Sequence, residues 1–258
     1  VDCPKIKNRK IDFKKIDVDF GDTMQSFFIG KGSAAIPGTI AGLLDVHKEN
    51  GKLPINIVLE PAIKLAKEGT QLSSYQAYIN KLIRPILLYS DEGKRLFTQN
   101  NKFLAEGDLF KNTAFADFLF SLSKEGKNFF YLGDCANLIT KYFSDDGYIT
   151  KKCLQNYSVK KRIPLTMDIN NYSILTNPSP AYGGTLITFL LRLLKDTLHL
   201  DASILDLIKG MELTSIARND ISKDSKDEYE IDNILTNDFY KKYLKYFKTK
   251  DYSKLISK

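Results

Sequence analysis

The chain has 258 residues, 43% hydrophobic and 27% charged, which suits a globular protein with one sizeable core and a single domain over 1–258. No apolar run reaches the roughly 20 residues of a membrane span; the longest, Leu186 to Leu194, is interrupted by Arg192. The net charge of +7 invites a nucleic-acid reading, but 38 basic residues are scattered against 31 acidic ones, with only mild clusters at Lys5–Lys15, Lys151–Arg162 and Lys241–Lys250.

In chain order, Lys10 to Phe20 and Ser26 to Ile29 are β-prone around the turn residues Gly21 and Asp22. Residues 32–38, Gly-Ser-Ala-Ala-Ile-Pro-Gly, are small and allow close backbone approach. Thr39 to Asn50 follows as a helix with Ile40, Leu43, Leu44 and His47 on one face, ended by Gly51. Further helices are expected over Ile57–Lys67, Ser73–Tyr89, Thr113–Lys124 and Cys135–Phe143. Asp145-Asp146-Gly147 is a turn, and Thr150 caps a short helix through Gln155. Val159–Asp168 and Tyr172–Leu175 form two strands around Asn170-Asn171. Helices over Thr185–Leu198, Ser203–Arg218 and Asp238–Phe247 complete the chain, with a mobile loop expected over 220–230. In the last helix Tyr240, Tyr243 and Phe247 recur at helical spacing, so they face a core while the intervening lysines face solvent. That pattern opposes nucleic-acid binding.

Most chemistry-bearing residues read as structural. Cys3, Cys135 and Cys153 form no CxxC pair and have no neighbouring histidine, so three thiols and no metal or cofactor are expected. His47 lies on an apolar helix face and reads as a core histidine with one satisfied nitrogen. Asp145 and Asp146 lack the other ligands of a calcium loop. Asp117 and Asp134 belong on solvated helix faces, and neither Ser33 nor Ser179 sits in Gly-x-Ser-x-Gly. The N-terminal residues Val1 to Lys5 contain no apolar leader and no initiator Met, which leaves the compartment open.

Specific blocks then narrow the field. Ala35-Ile36-Pro37-Gly38-Thr39-Ile40-Ala41-Gly42-Leu43-Leu44, His47 and Gly51-Lys52-Leu53-Pro54 open the series, and Glu60 to Gly69 continues it. Gly107-Asp108, Lys124-Glu125-Gly126 and Phe130-Tyr131-Leu132-Gly133 follow. Gly147-Tyr148-Ile149-Thr150, Leu154, Tyr157 and Arg162-Ile163-Pro164-Leu165 come next, and Asn177-Pro178-Ser179-Pro180-Ala181-Tyr182-Gly183-Gly184 ends the series. In this order over residues 30–200 the blocks resemble the large subunit of γ-glutamyltransferases.

The resemblance implies an α/β (α+β) fold: the helix-rich part of an Ntn-hydrolase α/β/β/α sandwich completed by a second subunit. It implies a precursor that cleaves itself before a Thr. That Thr lies on the small subunit, where its hydroxyl is the nucleophile and its α-amine the base. The assembled heterodimer would cleave or transfer γ-glutamyl or related acyl-amide groups, with a small-molecule substrate. No Thr-Thr-His motif occurs in the tail, Asp251 to Lys258, so the chain is expected to stop at the processing site and to hold no catalytic residue itself. Members specific for γ-glutamyl groups carry an Arg in an Asp-x-Arg-Glu segment that clamps the substrate carboxylate. The matching stretch, Asp2-Cys3-Pro4-Lys5, puts Pro4 there, which weakens γ-glutamyl specificity and makes an acylase role credible. Lys5 could supply charge without the planar fork of Arg. The alternative is a non-catalytic helical scaffold of the same family. Tyr182, Gly183 and Gly184, leading into the helix at Thr185, are candidate substrate-binding residues, with Tyr182 narrowing a cleft; the competing reading is a tight packing turn.

Overall fold

The computed structural model describes residues 10–169, 171–197, 203–224 and 228–249. They fall into two compact units divided between Val159 and Lys160. Expectations for Cys3, the Asp2–Lys5 register and the 251–258 tail lie outside the described residues.

The first unit opens with the antiparallel hairpin β1 (Lys14–Asp19) and β2 (Met24–Ile29), in which Lys14 pairs with Ile29 and Asp19 with Met24. Helices α1 (Thr39–Asn50) and α2 (Ile55–Glu68) follow, the latter carrying Pro61. The helix expected over Ser73–Tyr89 is two: α3 (Ser74–Leu82) and α4 (Arg84–Leu87). Pro85 lacks an N–H and cannot continue α3, but it fits the first turn of a new helix. Ser73 caps α3 through a capping box with Gln76.

Ser90 caps α5 (Asp91–Phe97), which the apolar periodicity did not reveal. Between α2 and α3 lies the two-residue strand β3 (Thr70–Gln71), and β4 (Thr98–Gln99) and β5 (Lys102–Phe103) follow α5 as a small hairpin. Asn100 and Asn101 turn that hairpin at positive φ, which asparagine tolerates better than most residues. Strand β6 (Leu109–Phe110) pairs with β3. Helices α6 (Thr113–Glu125), α7 (Lys127–Tyr131), α8 (Asp134–Tyr142) and α9 (Lys151–Gln155) complete the unit, and α6 packs along α2.

Its core gathers Ala41, Phe130, Tyr131, Ala136, Ile149 and Leu154. The Tyr131 ring stacks on Tyr157 at 5.4 Å, and its hydroxyl donates to the Pro37 carbonyl at 2.5 Å and accepts from the Ala41 N–H at 3.3 Å. The second bond satisfies one of the amides that a helix start leaves without an intrahelical partner. A Cβ on Gly38 would collide with the Tyr157 hydroxyl, which explains why glycine follows Pro37. His47 is partly buried, and its Nε2 meets the Leu53 carbonyl at 2.9 Å, closing the loop after α1.

In the second unit β7 (Leu165–Ile169) and β8 (Tyr172–Thr176) form a hairpin against α10 (Tyr182–Thr197). The first strand is shorter than expected and begins after Pro164. Helix α11 (Ile204–Asp224) occupies the start of the segment expected to be a mobile loop, and a 3-10 helix spans Glu228–Leu235. Ser203 and Asp206 cap α11 reciprocally. With α12 (Asn237–Thr249) these elements enclose a core that includes Phe189, Leu193, Leu213 and Ile234. Tyr240, Tyr243 and Phe247 point into it, as their spacing required.

Replacing Tyr131 by Phe keeps the stacked ring and removes both hydroxyl bonds, leaving the buried Ala41 amide and the Pro37 carbonyl without this partner. The Tyr131→Phe variant is expected to lose about 1–3 kcal/mol of stability. Thermal unfolding beside wild type checks this, and an unchanged midpoint would show that the bridge is dispensable.

Candidate functional site

The family-like Asn177–Gly184 segment lies in the second unit. Pro178 and Pro180 fix φ on either side of Ser179, which is buried, and the Ser179–Pro180 peptide is cis. The helix starts at Tyr182 rather than Thr185, so Gly183 and Gly184 lie in its first turn instead of forming a turn before it. Neither is at positive φ.

The two glycines do different work. A Cβ on Gly184 would run into the Asn177 carbonyl oxygen and the Thr176 hydroxyl, so its hydrogen lets the helix start press against the end of β8. Gly183 is exposed, and a Cβ there would meet nothing within 4 Å. Tyr182 is partly buried against the core, with the Arg218 guanidinium 5.4 Å from its ring centroid. Thr185 is fully buried and donates to Asp232 at 2.7 Å. A cavity of about 490 Å³ opens beside this segment, lined by Lys160, Arg162, Pro164, Asn177, Pro178 and Ala181 among others. The expected trio is thus split: Gly184 is a packing residue, Tyr182 is half in the core, and Gly183 alone presents free surface.

A second concave site, unread in the sequence, lies in the first unit. A cavity of about 820 Å³ is lined by Asp12, Lys31, Tyr89 and Tyr142 together with the rim acids Asp91 and Glu92. The Tyr89 hydroxyl donates to one Asp12 carboxylate oxygen, and the Lys31 N–H donates to the other at 3.0 Å. Asp12 also donates its own N–H to the Asp146 carbonyl at 2.9 Å, and Gly32 N–H donates to the Asp12 carbonyl at 2.7 Å. The Lys31 ammonium pairs with Asp146 at 2.8 Å and lies 4.4 Å from the Tyr142 ring centroid.

These contacts set the charges. The Tyr89 hydroxyl first, then the Lys31 amide, hold the Asp12 carboxyl below its ordinary range. Asp146 raises Lys31, and Asp12 raises the Tyr89 phenol. The site therefore offers a fixed anion, a fixed cation and aromatic walls, which suits binding and orientation of a polar ligand. Asp146, read as a turn residue, is here an ion-pair partner. No local motif announced Asp12, Lys31, Tyr89 and Asp146 as a group, because they come from four separate stretches.

Among the described residues no group of three or more His, Cys, Asp or Glu is placed to hold a metal ion. Cys135 and Cys153 are thiols: burial pushes Cys135 up, and Cys153 Sγ lies 3.0 Å from the Thr150 hydroxyl. Asp117 and Asp134 are exposed on their helices. No described helix is long and apolar enough to cross a membrane.

The family profile described as Gamma-glutamyltranspeptidase matches residues 12–254. Glutathione hydrolase 2 of Arabidopsis thaliana is 34% identical over 68% of this chain and 30% of its own length. The glutathione hydrolase proenzyme of Pseudomonas aeruginosa is 30% identical over 76% of this chain and 34% of its own. The chain thus spans about a third of the length of these curated relatives. Among solved structures, the Helicobacter pylori gamma-glutamyltranspeptidase superposes with a TM-score of 0.74 at 28% identity, over 84% of this chain and 65% of that one. A cephalosporin acylase from Bacillus halodurans, 18% identical, shares the fold with a TM-score of 0.67 over 91% of this chain and 51% of its own.

Two predictions follow from the geometry. Gly184→Ala is expected to cost about 1–3 kcal/mol by overpacking, while Gly183→Ala leaves stability unchanged or slightly higher, since alanine suits a helix better. Circular-dichroism melts distinguish them, and equal midpoints would refute the split. The second concerns acid. Asp12 binds its proton near 3.8 in the unfolded chain and lower in the fold. Its stabilisation is complete above that unfolded value and disappears as pH falls through the folded value. The melting-temperature gap between wild type and Asp12→Asn should narrow below about pH 4; a constant gap would contradict the assignment.

Proposed function

Because the chain belongs to the gamma-glutamyltranspeptidase family and has its mixed helix–strand Ntn-hydrolase fold, we propose that it is the large-subunit portion of an amidohydrolase or acyltransferase. The observation that carries this reading is the continuous family match over 12–254, together with the superposition on the Helicobacter pylori enzyme. A small subunit supplies the N-terminal Thr. Its hydroxyl attacks the amide carbonyl of a γ-glutamyl or related acyl-amide substrate, and its α-amine, titrating around 7.7–8.0 when unperturbed, takes the hydroxyl proton. Backbone N–H groups stabilise the oxyanion, the amine leaves, and water or a second amine receives the acyl group. This chain contributes substrate-binding surface rather than the nucleophile, and Gly183 at the start of α10 is part of that surface.

We further propose that the carboxylate-recognition segment lies at Asp12–Lys15 and not at Asp2–Lys5. The family match begins at residue 12, and Asp12-Phe13-Lys14-Lys15 has the same Asp-x-basic pattern inside it. In this reading Lys14, not Pro4, stands where γ-glutamyl-specific members carry Arg. Recognition of a substrate carboxylate is thus retained as a point charge without the bidentate fork, which favours weaker and less selective binding.

The test is co-expression with the segment that encodes the small subunit. The assembled protein should turn over γ-glutamyl-p-nitroanilide or a related anilide, and Thr→Ala at the new N-terminus should abolish turnover. Residues 1–258 alone should be inactive. Turnover by 1–258 alone would overturn the division of labour, and an inert assembled heterodimer would favour a non-catalytic scaffold.

A further inference from the structure

Lys14 has a long, flexible side chain at the exposed start of β1, and a flexible ammonium recognises a carboxylate only as well as it is held. Its ammonium lies over the Tyr89 ring, 5.5 Å from the centroid. The same tyrosine donates its hydroxyl to Asp12, two residues before Lys14. Two side chains of one extended segment therefore meet a single residue from the α4–α5 connection.

The arrangement separates two charges that would otherwise neutralise each other. Asp12 and Lys14 are close enough for Lys14 to help hold the Asp12 carboxyl down. Yet both Asp12 oxygens are taken, one by the Tyr89 hydroxyl and the other by the Lys31 N–H. Among the described residues the Lys14 ammonium pairs with no carboxylate. It rests on a π face, which attracts a cation by about 0.5–1 kcal/mol at an exposed site. That is enough to bias its position and too little to compete with a substrate carboxylate.

Tyr89 is itself fixed. Its N–H donates to the Ile86 carbonyl at 3.2 Å, and α4 packs against β1. Asp12 cannot swing away, because its N–H and C=O are bonded to Asp146 and Gly32. Gly30, at φ +95°, leaves room for it: a Cβ there would lie 2.7 Å from the Asp12 carboxyl carbon.

We propose that Tyr89 is a positioning and specificity-determining residue that caps Asp12 with its hydroxyl and carries Lys14 on its ring, keeping the ammonium available to an acyl donor bearing a carboxylate. The carboxylate role rests on the reading of Lys14 given above; the positioning of Lys14 does not.

The test uses the assembled heterodimer and two anilide donors, γ-glutamyl-p-nitroanilide and its 4-aminobutyryl analogue lacking the α-carboxylate. Reductive methylation with ¹³C-formaldehyde gives an NMR signal for Lys14, assigned by its loss in Lys14→Arg. In Tyr89→Phe the ring remains but Asp12 is uncapped and captures Lys14. The Lys14 signal should shift. KM for the γ-glutamyl donor should rise about threefold, the size of an exposed Lys–Asp ion pair, with kcat within about twofold and the analogue's KM unchanged. Adding Asp12→Asn should restore KM, since a neutral amide cannot capture the ammonium. If Tyr89→Phe leaves the Lys14 signal and the donor KM at wild-type values, the proposal is overturned. If Lys14→Ala weakens both donors equally while Tyr89→Phe still moves the Lys14 signal, the carboxylate reading falls and the positioning of Lys14 by Tyr89 stands.

Discussion

Asp12 joins four stretches of chain that are distant in sequence. Its backbone meets the turn after α8 at Asp146 and the Lys31–Ser33 turn at Gly32, while its carboxylate meets the Lys31 amide and the Tyr89 hydroxyl. Every one of these groups loses water on folding, so each bond is needed to offset desolvation, and the set stands together. The cavity of the first unit takes its shape from that junction. Lys31 is held over Tyr142 because its own amide is fixed on Asp12 and its ammonium on Asp146.

The junction also explains what was legible in the sequence. Helices with clear apolar periodicity, such as α1, α6 and α12, were read almost to the residue. Some short elements escaped, although the five-residue α9 was read from its Thr150 cap. Helix α5 depends on the Ser90 cap and on its neighbours rather than on periodicity, and α7 is five residues long. The break between α3 and α4 was written in Pro85, yet an otherwise continuous apolar pattern concealed it. The extension of α11 into the polar stretch at 220 has a tertiary cause: Asp220 accepts from Tyr243 at 2.5 Å and pairs with Lys242 at 3.3 Å, so α12 stabilises residues that look loop-like alone.

The candidate site was legible only where its residues form a contiguous motif. Tyr182-Gly183-Gly184 could be singled out because glycine pairs beside prolines are conspicuous, but the sequence could not say which glycine serves packing. That depends on the Asn177 carbonyl, which faces Gly184 and not Gly183. The Asp12 site had no such signature. Asp12, Lys31, Tyr89 and Asp146 are ordinary residues until the fold brings them together, and Asp146 lay in a stretch whose turn-forming role already explained it.

Helix termini and glycine contacts position a family fold, but they do not choose its acyl group. The Helicobacter pylori transpeptidase and the Bacillus halodurans acylase both superpose on this chain, so the backbone serves more than one substrate class. In the reading proposed above, discrimination comes from side chains such as Lys14 and from what restrains them. An arginine brings its own geometry in a planar fork, whereas a lysine brings only charge and relies on its surroundings for direction. On the proposed role of Lys14 an external guide is needed, and Tyr89 has both attributes of one: a face for the cation and a hydroxyl that occupies the neighbouring anion.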